Sequence, residues 1–313
     1  MSTEKVLWLA GRLVPHKNAK LHVLSPTCQY GINVFEVIRC YLNDNGNQLL
    51  SFRFKDHLDR LFQSAKIMRL SPKYTASEIQ SAFVAAIIAN GYMADISVHI
   101  TFFINEPGSW AYKGNCEMMI APIPMGRAYD SKMGITACVS SWERIDDRSV
   151  SPRIKAGANY INSRMAQLEA SDNGFDSALF LNREGKVSEA PGSCIFIVRR
   201  GVLITPPITA SILESITRDT IINIAKDDFG LTVIERDIAR TELYICDEIF
   251  LCGTTVEIVP VVSVDKIIVG DAEAGQLTKS IKQRYFDIVR GKVNAYKEWI
   301  LPVNEELACP PRK

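Results

Sequence analysis

The sequence predicts a two-domain α+β protein, and three observations carry that expectation. Its 313 residues exceed the ~100 to 200 that one domain usually takes. Hydrophobic spacing switches repeatedly between a period of two and a period of 3.6, in two successive blocks of mixed strands and helices. Between the blocks, Pro124 to Ser131 (PMGRAYDS) holds turn residues and no apolar period. The expected division is a smaller domain over 1–123, a linker over 124–132 and a larger domain over 133–313.

In the first block, Val34 to Leu42 (VFEVIRCYL) is rich in β-branched and aromatic residues and reads as a strand. Alternation puts Phe35, Val37, Arg39 and Tyr41 on one face and Val34, Glu36, Ile38, Cys40 and Leu42 on the other. A short strand, Leu49 to Phe54, precedes a helix whose apolar residues Phe54, Leu58, Leu61, Phe62 and Ala65 recur at helical spacing. A second helix opens at Thr75, with Glu78 three residues on completing a capping box, and stops near Gly91. Strands at Ile96 to Ile104 and Glu117 to Ile123 complete the block.

The second block opens with a strand from Ile135 to Trp142, then a loop rich in Asp, Arg, Ser and Pro, then a helix from about Asn159 that ends before Gly174. Short strands are expected at Ala178 to Leu181, Cys194 to Val198 and Val202 to Thr205, with a helix from Ser215 or Ile216 to about Lys226. Strands at Thr232 to Arg236, Glu248 to Cys252 and Ile258 to Val264, and a helix from about Leu277 to Val289, close the block. The tail Pro310 to Lys313 is expected to fray.

Composition excludes several classes. Hydrophobic residues at 47% and charged residues at 23% suit a globular chain with a sizeable core rather than a disordered or fibrous one. With 36 basic and 35 acidic side chains, the net charge of +1 provides no field for gathering nucleic acid. The longest apolar run, Ala82 to Ala89, falls far short of the ~18 to 20 residues of a membrane span. An acid in Met1 to Lys5 and no extended apolar segment after it argue against a signal peptide, so the expected address is cytoplasmic. Eight scattered cysteines without a CxxC pair read as reduced thiols, and four histidines without paired metal-ligand spacing leave no zinc motif.

No GxGxxG, GxxxxGK[ST] or GxSxG motif is present, which removes the common dinucleotide, P-loop and α/β-hydrolase readings. Leu213 to Arg218 is a helix start whose amides suit a phosphate, although a plain N-cap accounts for the same residues. Cys252 to Val256 ends a strand in a turn whose amides can also face an anion. Lys155 precedes small residues at a helix start, where either a ligand or solvent can approach.

Together these segments resemble the fold-type IV enzymes that use pyridoxal 5'-phosphate (PLP), with the D-amino acid aminotransferase-like architecture, and most closely the branched-chain amino acid aminotransferases. The carriers are YGINVFEVIRCY from Tyr30, FRFKDHLDRLFQSAKIMRL from Phe52, KAGANYINS from Lys155, SEAPGSCIF from Ser188, ESITRD from Glu214 and CGTTVEI from Cys252. The resemblance runs from about Tyr30 to Arg290. It implies that Lys155 forms the Schiff base with PLP and shuttles the α-proton, and that Glu189 faces the pyridine nitrogen. Tyr160 would bond the phenolic oxygen and Leu213 pack on the ring. Arg60, Ile216, Thr217 and Thr254 would hold the phosphate. The amides at Thr255 and Val256 would take the substrate α-carboxylate. Phe35, Val37 and Arg39 would line the pocket, and Tyr30, with the loop near Gly108 to Tyr112, would complete the site of a neighbouring subunit in a homodimer or larger homo-oligomer. The partners implied are an amino acid and a 2-oxo acid, with no nucleic acid and no membrane.

The chain departs from the branched-chain pattern at several positions. Val37 stands where glycine is usual, and Ser97 and His99 stand in place of a tyrosine and an arginine. The arginine recognises the distal carboxylate of glutamate, so its loss implies an altered substrate pocket. Cys194 replaces a common asparagine, and Ala158 replaces glycine. D-amino acid or (R)-amine transaminases and aminodeoxychorismate lyases share the lysine and the glutamate and are the alternatives at this point.

Overall fold

The computed structural model describes residues 4–126, 128–129 and 133–304. In chain order the elements are β1 (Val6–Leu9), β2 (Arg12–Pro15), α1 (Pro26–Tyr30), β3 (Asn33–Leu42), β4 (Leu49–Phe52), α2 (Phe54–Ile67), β5 (Leu70–Pro72), α3 (Ala76–Asn90), β6 (Ile96–Phe103), β7 (Gly114–Pro124) and β8 (Ile135–Glu143). Then come α4 (Tyr160–Asp172), β9 (Ser177–Leu181), β10 (Cys194–Arg199), β11 (Val202–Thr205), α5 (Ile216–Asn223), β12 (Val233–Glu235), β13 (Glu248–Gly253), β14 (Glu257–Val264), β15 (Ile267–Ile268), α6 (Gln276–Val289) and β16 (Ile300–Pro302).

Two compact units emerge. The first takes Met1–Gly126, Ile154–Ala158 and Asp287–Lys313, and the second takes Arg127–Arg153 and Asn159–Phe286. This differs from a simple cut between 1–123 and 133–313. Ala156 bridges to Val34 on β3, and β16 pairs with β4, so two distant segments return to the first unit. Part of the expected linker, 127 and 130–132, lies outside the described residues, as does the tail at 310–313.

The first unit holds a sheet in the order β16-β4-β3-β6-β7-β1-β2, with β5 added to β7. Its central β3 is antiparallel to β6, and β6 to β7. Helices α2 and α3 bury Leu58, Leu61, Ile79, Phe83 and Ile87 against one face, where Val34, Ile38, Val98 and Ile100 meet them. Glu36 points to this same helix-covered side by alternation. The strand expected to reach Phe54 stops at Phe52, because Arg53 takes a left-handed φ of 51° and α2 begins at Phe54.

The second unit holds a sheet in the order β12-β11-β10-β13-β14-β8-β9, with β15 on β14. Ile195, Ile197, Ile249, Leu251, Val259 and Val261 fill its core. Past Asn223, α5 continues into a π-helical turn over Ile224–Asp228, which covers the stretch expected as one helix to about Lys226. Among the described residues no helix is long and apolar enough to cross a membrane, and no cluster of metal-ligating side chains occurs. The described cysteines are all free; Cys28 is exposed and the others are buried.

Candidate active site

In the first unit the chemistry gathers around Lys155. Its neighbours Ile154 and Ala156 are core residues, 7% and 1% exposed, which pins the backbone on both sides. The Lys155 amide donates to Ser64 Oγ at 3.1 Å, and its carbonyl accepts from the Phe35 amide at 2.9 Å. Nζ lies 4.9 Å from the Phe35 ring centroid. The amine is therefore carried on a locked backbone beside the strand face that bears Phe35. Gly157 follows because a Cβ there would come within 2.9 Å of Asn33 Oδ1. Ala158, the departure from the usual glycine, fits because its neighbour is Gly31, at a φ of 67°.

Phe35, Val37 and Arg39 stand opposite Thr101, His99 and Ser97 across the β3/β6 register, so all six share one sheet face. Val37 is buried and His99 half-buried. Burial, and then the positive charge of Lys155, hold the His99 imidazole below its ordinary pKa and keep it neutral at pH 7. Arg39 shares that face but is fully buried. Its Nη1 donates to the Met125 carbonyl at 2.7 Å, with Ser97 Oγ at 3.4 Å. The sequence placed Arg39 in the pocket, and the structure places its guanidinium on backbone carbonyls at the end of β7. Tyr30 ends α1 and is 50% exposed.

On the other side of β3, Arg60 forms a fork on Glu36, with Nε to Oε1 at 2.6 Å and Nη2 to Oε2 at 2.8 Å. His57 Nδ1 lies 2.7 Å from Glu36 Oε2. All three side chains are buried. For Glu36, burial favours the neutral acid, but the Arg60 and His57 partners outweigh it and hold the carboxyl well below its usual range. For His57, burial dominates over the pull of Glu36, so the imidazole is held neutral. An ionised carboxylate only accepts, so Nδ1 carries the hydrogen. Removing one partner from such a buried pair costs about 3 to 5 kcal/mol. His57, Arg60 and Ser64 recur at i, i+3 and i+7, one face of α2.

In the second unit the chemistry gathers around Glu189, which is buried. Its Oε1 meets Arg144 Nη2 at 2.8 Å, and its Oε2 accepts from the Leu213 amide at 3.1 Å, with Cys194 Sγ at 3.9 Å. Arg144 also donates to Asn162 Oδ1 on α4 at 3.1 Å. The guanidinium gives the buried carboxylate an opposite charge and a charge-assisted hydrogen bond. Tyr160, the first residue of α4, lies two positions before Asn162 and is half-buried.

Ser215 caps α5 by accepting from the Arg218 amide, and Ile216 and Thr217 are buried in its first turn. Thr254, Thr255 and Val256 form the turn between β13 and β14 and are half-buried. That turn passes close to Gly192: a side chain on Gly253 would come within 3.1 Å of the Gly192 carbonyl. Glu257 leaves the turn at a φ of 57°, a strained value for a residue with a side chain.

Sequence reasoning singled out Lys155, Glu189 and Arg60 but missed Glu36, His57, Ser64 and Arg144, the residues that hold them. Alternation already put Glu36 on the same face of β3 as Val34 and Ile38, and a charged residue on an apolar face is a signal that a partner must exist. Arg144 gave no such signal, because it sits in an irregular loop and its partner is 45 positions away.

The sequence profile of the family described as amino-transferase class IV matches residues 33–264. The branched-chain-amino-acid aminotransferase of Salmonella typhimurium is 36% identical over 315 residues, covering 97% of this chain and all of that one. Among solved structures, the branched-chain aminotransferase from Thermoproteus uzoniensis with norvaline superposes with a TM-score of 0.91 at 43% identity, over 96% of this chain and 99% of that one. The PLP-form of the branched-chain amino acid aminotransferase from Thermobaculum terrenum gives a TM-score of 0.91 at 40% identity, over 97% of this chain and 100% of that one.

Proposed function

The chain belongs to the class IV aminotransferases, and from that premise we propose roles for its two clusters. It is a PLP-dependent enzyme that moves an amino group between a branched-chain amino acid and a 2-oxo acid. The side chains present fit the cofactor: a primary amine for an aldehyde, a buried carboxylate for a pyridine N–H, and a buried guanidinium for a phosphate. When bound, PLP supplies the ring that accepts the electron pair released at the substrate α-carbon.

The chain's own residues do the rest. Lys155 Nζ would hold the cofactor's aldehyde carbon and move the proton at the α-carbon. Glu189, paired with Arg144, would face the ring nitrogen and favour its protonated form. Tyr160 would donate to the phenolic oxygen, and Leu213 would pack on the ring. Arg60, the α5 start at Ile216 and Thr217, and Thr254 would hold the phosphate. The amides of Thr255 and Val256 orient the substrate carboxylate. Phe35, Val37, Ser97 and His99 shape the side-chain end of the pocket, with Arg39 bracing the same sheet face. Tyr30 and the loop over 108–112 serve the neighbouring subunit of a homodimer. The free thiols suit a reducing, cytoplasmic address.

The observation that carries this reading is the placement of Lys155, an amine held over Phe35 on a backbone fixed from both sides. Lys155→Ala should abolish turnover and borohydride-trappable cofactor, while a panel of amino donors and 2-oxo acids identifies the couple used by the wild type. A variant that still yields a borohydride-fixed adduct would sink the assignment.

A further inference from the structure

The Glu36 cluster has a role that the assignment above leaves open. Two of the three Arg60 nitrogens are spent on one carboxylate, with two parallel charge-assisted bonds that fix the plane of the guanidinium. His57 holds the same carboxylate from a second direction, so the acceptor itself cannot swing. A staple between α2 and β3 needs none of this: Leu58, Leu61 and Ala65 already seat α2 in the core, and Ser64 ties the helix to the Lys155 amide. Replacing a buried ion pair by apolar residues is often neutral for stability, so specification of geometry is the better-supported use of one. The cluster also neighbours the reacting lysine. Ser64 is one turn beyond Arg60 on the same face of α2, and His57 feels the Lys155 charge.

Resting on the reading that Arg60 holds the cofactor's phosphate, we propose that Glu36 is a positioning residue for that subsite, clamping the Arg60 guanidinium in the plane that meets the phosphate, with His57 locking the clamp. Because Glu36 balances the charge of Arg60, the phosphate meets an oriented guanidinium rather than a surplus positive charge. Geometry, not charge, is then what discriminates a phosphorylated ligand.

The test is the preference for PLP over pyridoxal, which lacks only the phosphate, read as the ratio of dissociation constants on the full-length chain stripped of cofactor. Glu36→Gln should lower that ratio by about tenfold or more, the worth of an oriented bond to a charged group. Arg60→Lys should lower it similarly although it keeps the charge, and His57→Gln should lower it less. Glu36→Asp, which keeps the carboxylate, should recover part of the loss. Unchanged pyridoxal affinity and an unchanged far-ultraviolet spectrum report that a variant is folded; if Glu36→Gln fails this check, the Arg60→Lys and Glu36→Asp pair decides alone. A ratio that holds or rises in Glu36→Gln overturns the proposal, as does Arg60→Lys behaving like wild type. Arg60→Gln separates the two levels. If it leaves the ratio intact, the phosphate reading fails; if it abolishes the ratio while Glu36→Gln does not, only the clamp fails.

Discussion

Val37 and His99 face each other across the β3/β6 register, on the sheet face beside Lys155. The isopropyl group of Val37 takes room that glycine leaves open, and a mismatched methylene is worth ~1 to 3 kcal/mol, a bias of ~10 to 200-fold. The imidazole of His99 is neutral at pH 7, since burial and the Lys155 charge both oppose its protonation. If it lines the proposed pocket, it would offer no cation to the distal carboxylate of glutamate. Val37→Gly should raise kcat/KM for leucine, and His99→Arg should raise it for glutamate. The glutamate-to-leucine ratio of the wild type should also climb as pH falls and the imidazole gains its proton, and His99→Arg should flatten that dependence. Ratios that stay fixed in both variants and across pH would mean that these residues only pack.

At the scale of elements, what could be read from the sequence was whatever is encoded locally. Thr75 and Glu78 form the reciprocal capping box, and Gly91 ends α3 at a φ of 58°, as the spacing suggested. Alternation along β3 sorted its two faces correctly, because one face packs under helices. The β1/β2 hairpin escaped notice for a physical reason: Ala10 and Gly11 both take positive φ, but Ala-Gly lacks the Asn-Gly or Asp-Gly chemistry that advertises such a turn. The five-residue α1 is too short for periodicity, and β16 exists only by pairing with β4 some 250 positions earlier. The site divides in the same way. Lys155 and Glu189 stand out in motifs, whereas the contacts that make them usable, Ser64 on the lysine amide and Arg144 on the glutamate, are made by tertiary pairing.

For the whole molecule, the lysine's segment Ile154–Ala158 folds with the first unit although it follows Arg127–Arg153 of the second, so the unit bearing β3 carries the amine proposed to react. That unit also exposes Val23, Leu24, Tyr30 and Trp110, each at least half exposed, an apolar set suited to the proposed second subunit. Sedimentation should find the active species at twice the chain mass; a catalytically active monomer would contradict it. Acid sensitivity follows from the buried groups of the same unit. His57 is held neutral in the fold by burial, against Glu36 and assisted by the charges of Arg60 and Lys155, and His99 is held neutral by burial and Lys155. Their folded pKa values lie below the unfolded value of ~6.5, so the stability tied to their neutral forms is intact above that pH and drains away as pH falls below it. Glu36 is depressed below its unfolded value of ~4.3, so its contribution survives this first decline and is lost only further down. Unfolding free energy should thus fall in two stages, the first starting near pH ~6.5 at no more than about 1.4 kcal/mol per pH unit for His57, the second below ~4.3. Denaturant titrations at closely spaced pH values measure both. In His57→Gln the first stage should shrink to the share of His99 while the second persists. A wild type whose stability is level from pH 7 to pH 5 would show that neither imidazole is held neutral by the fold.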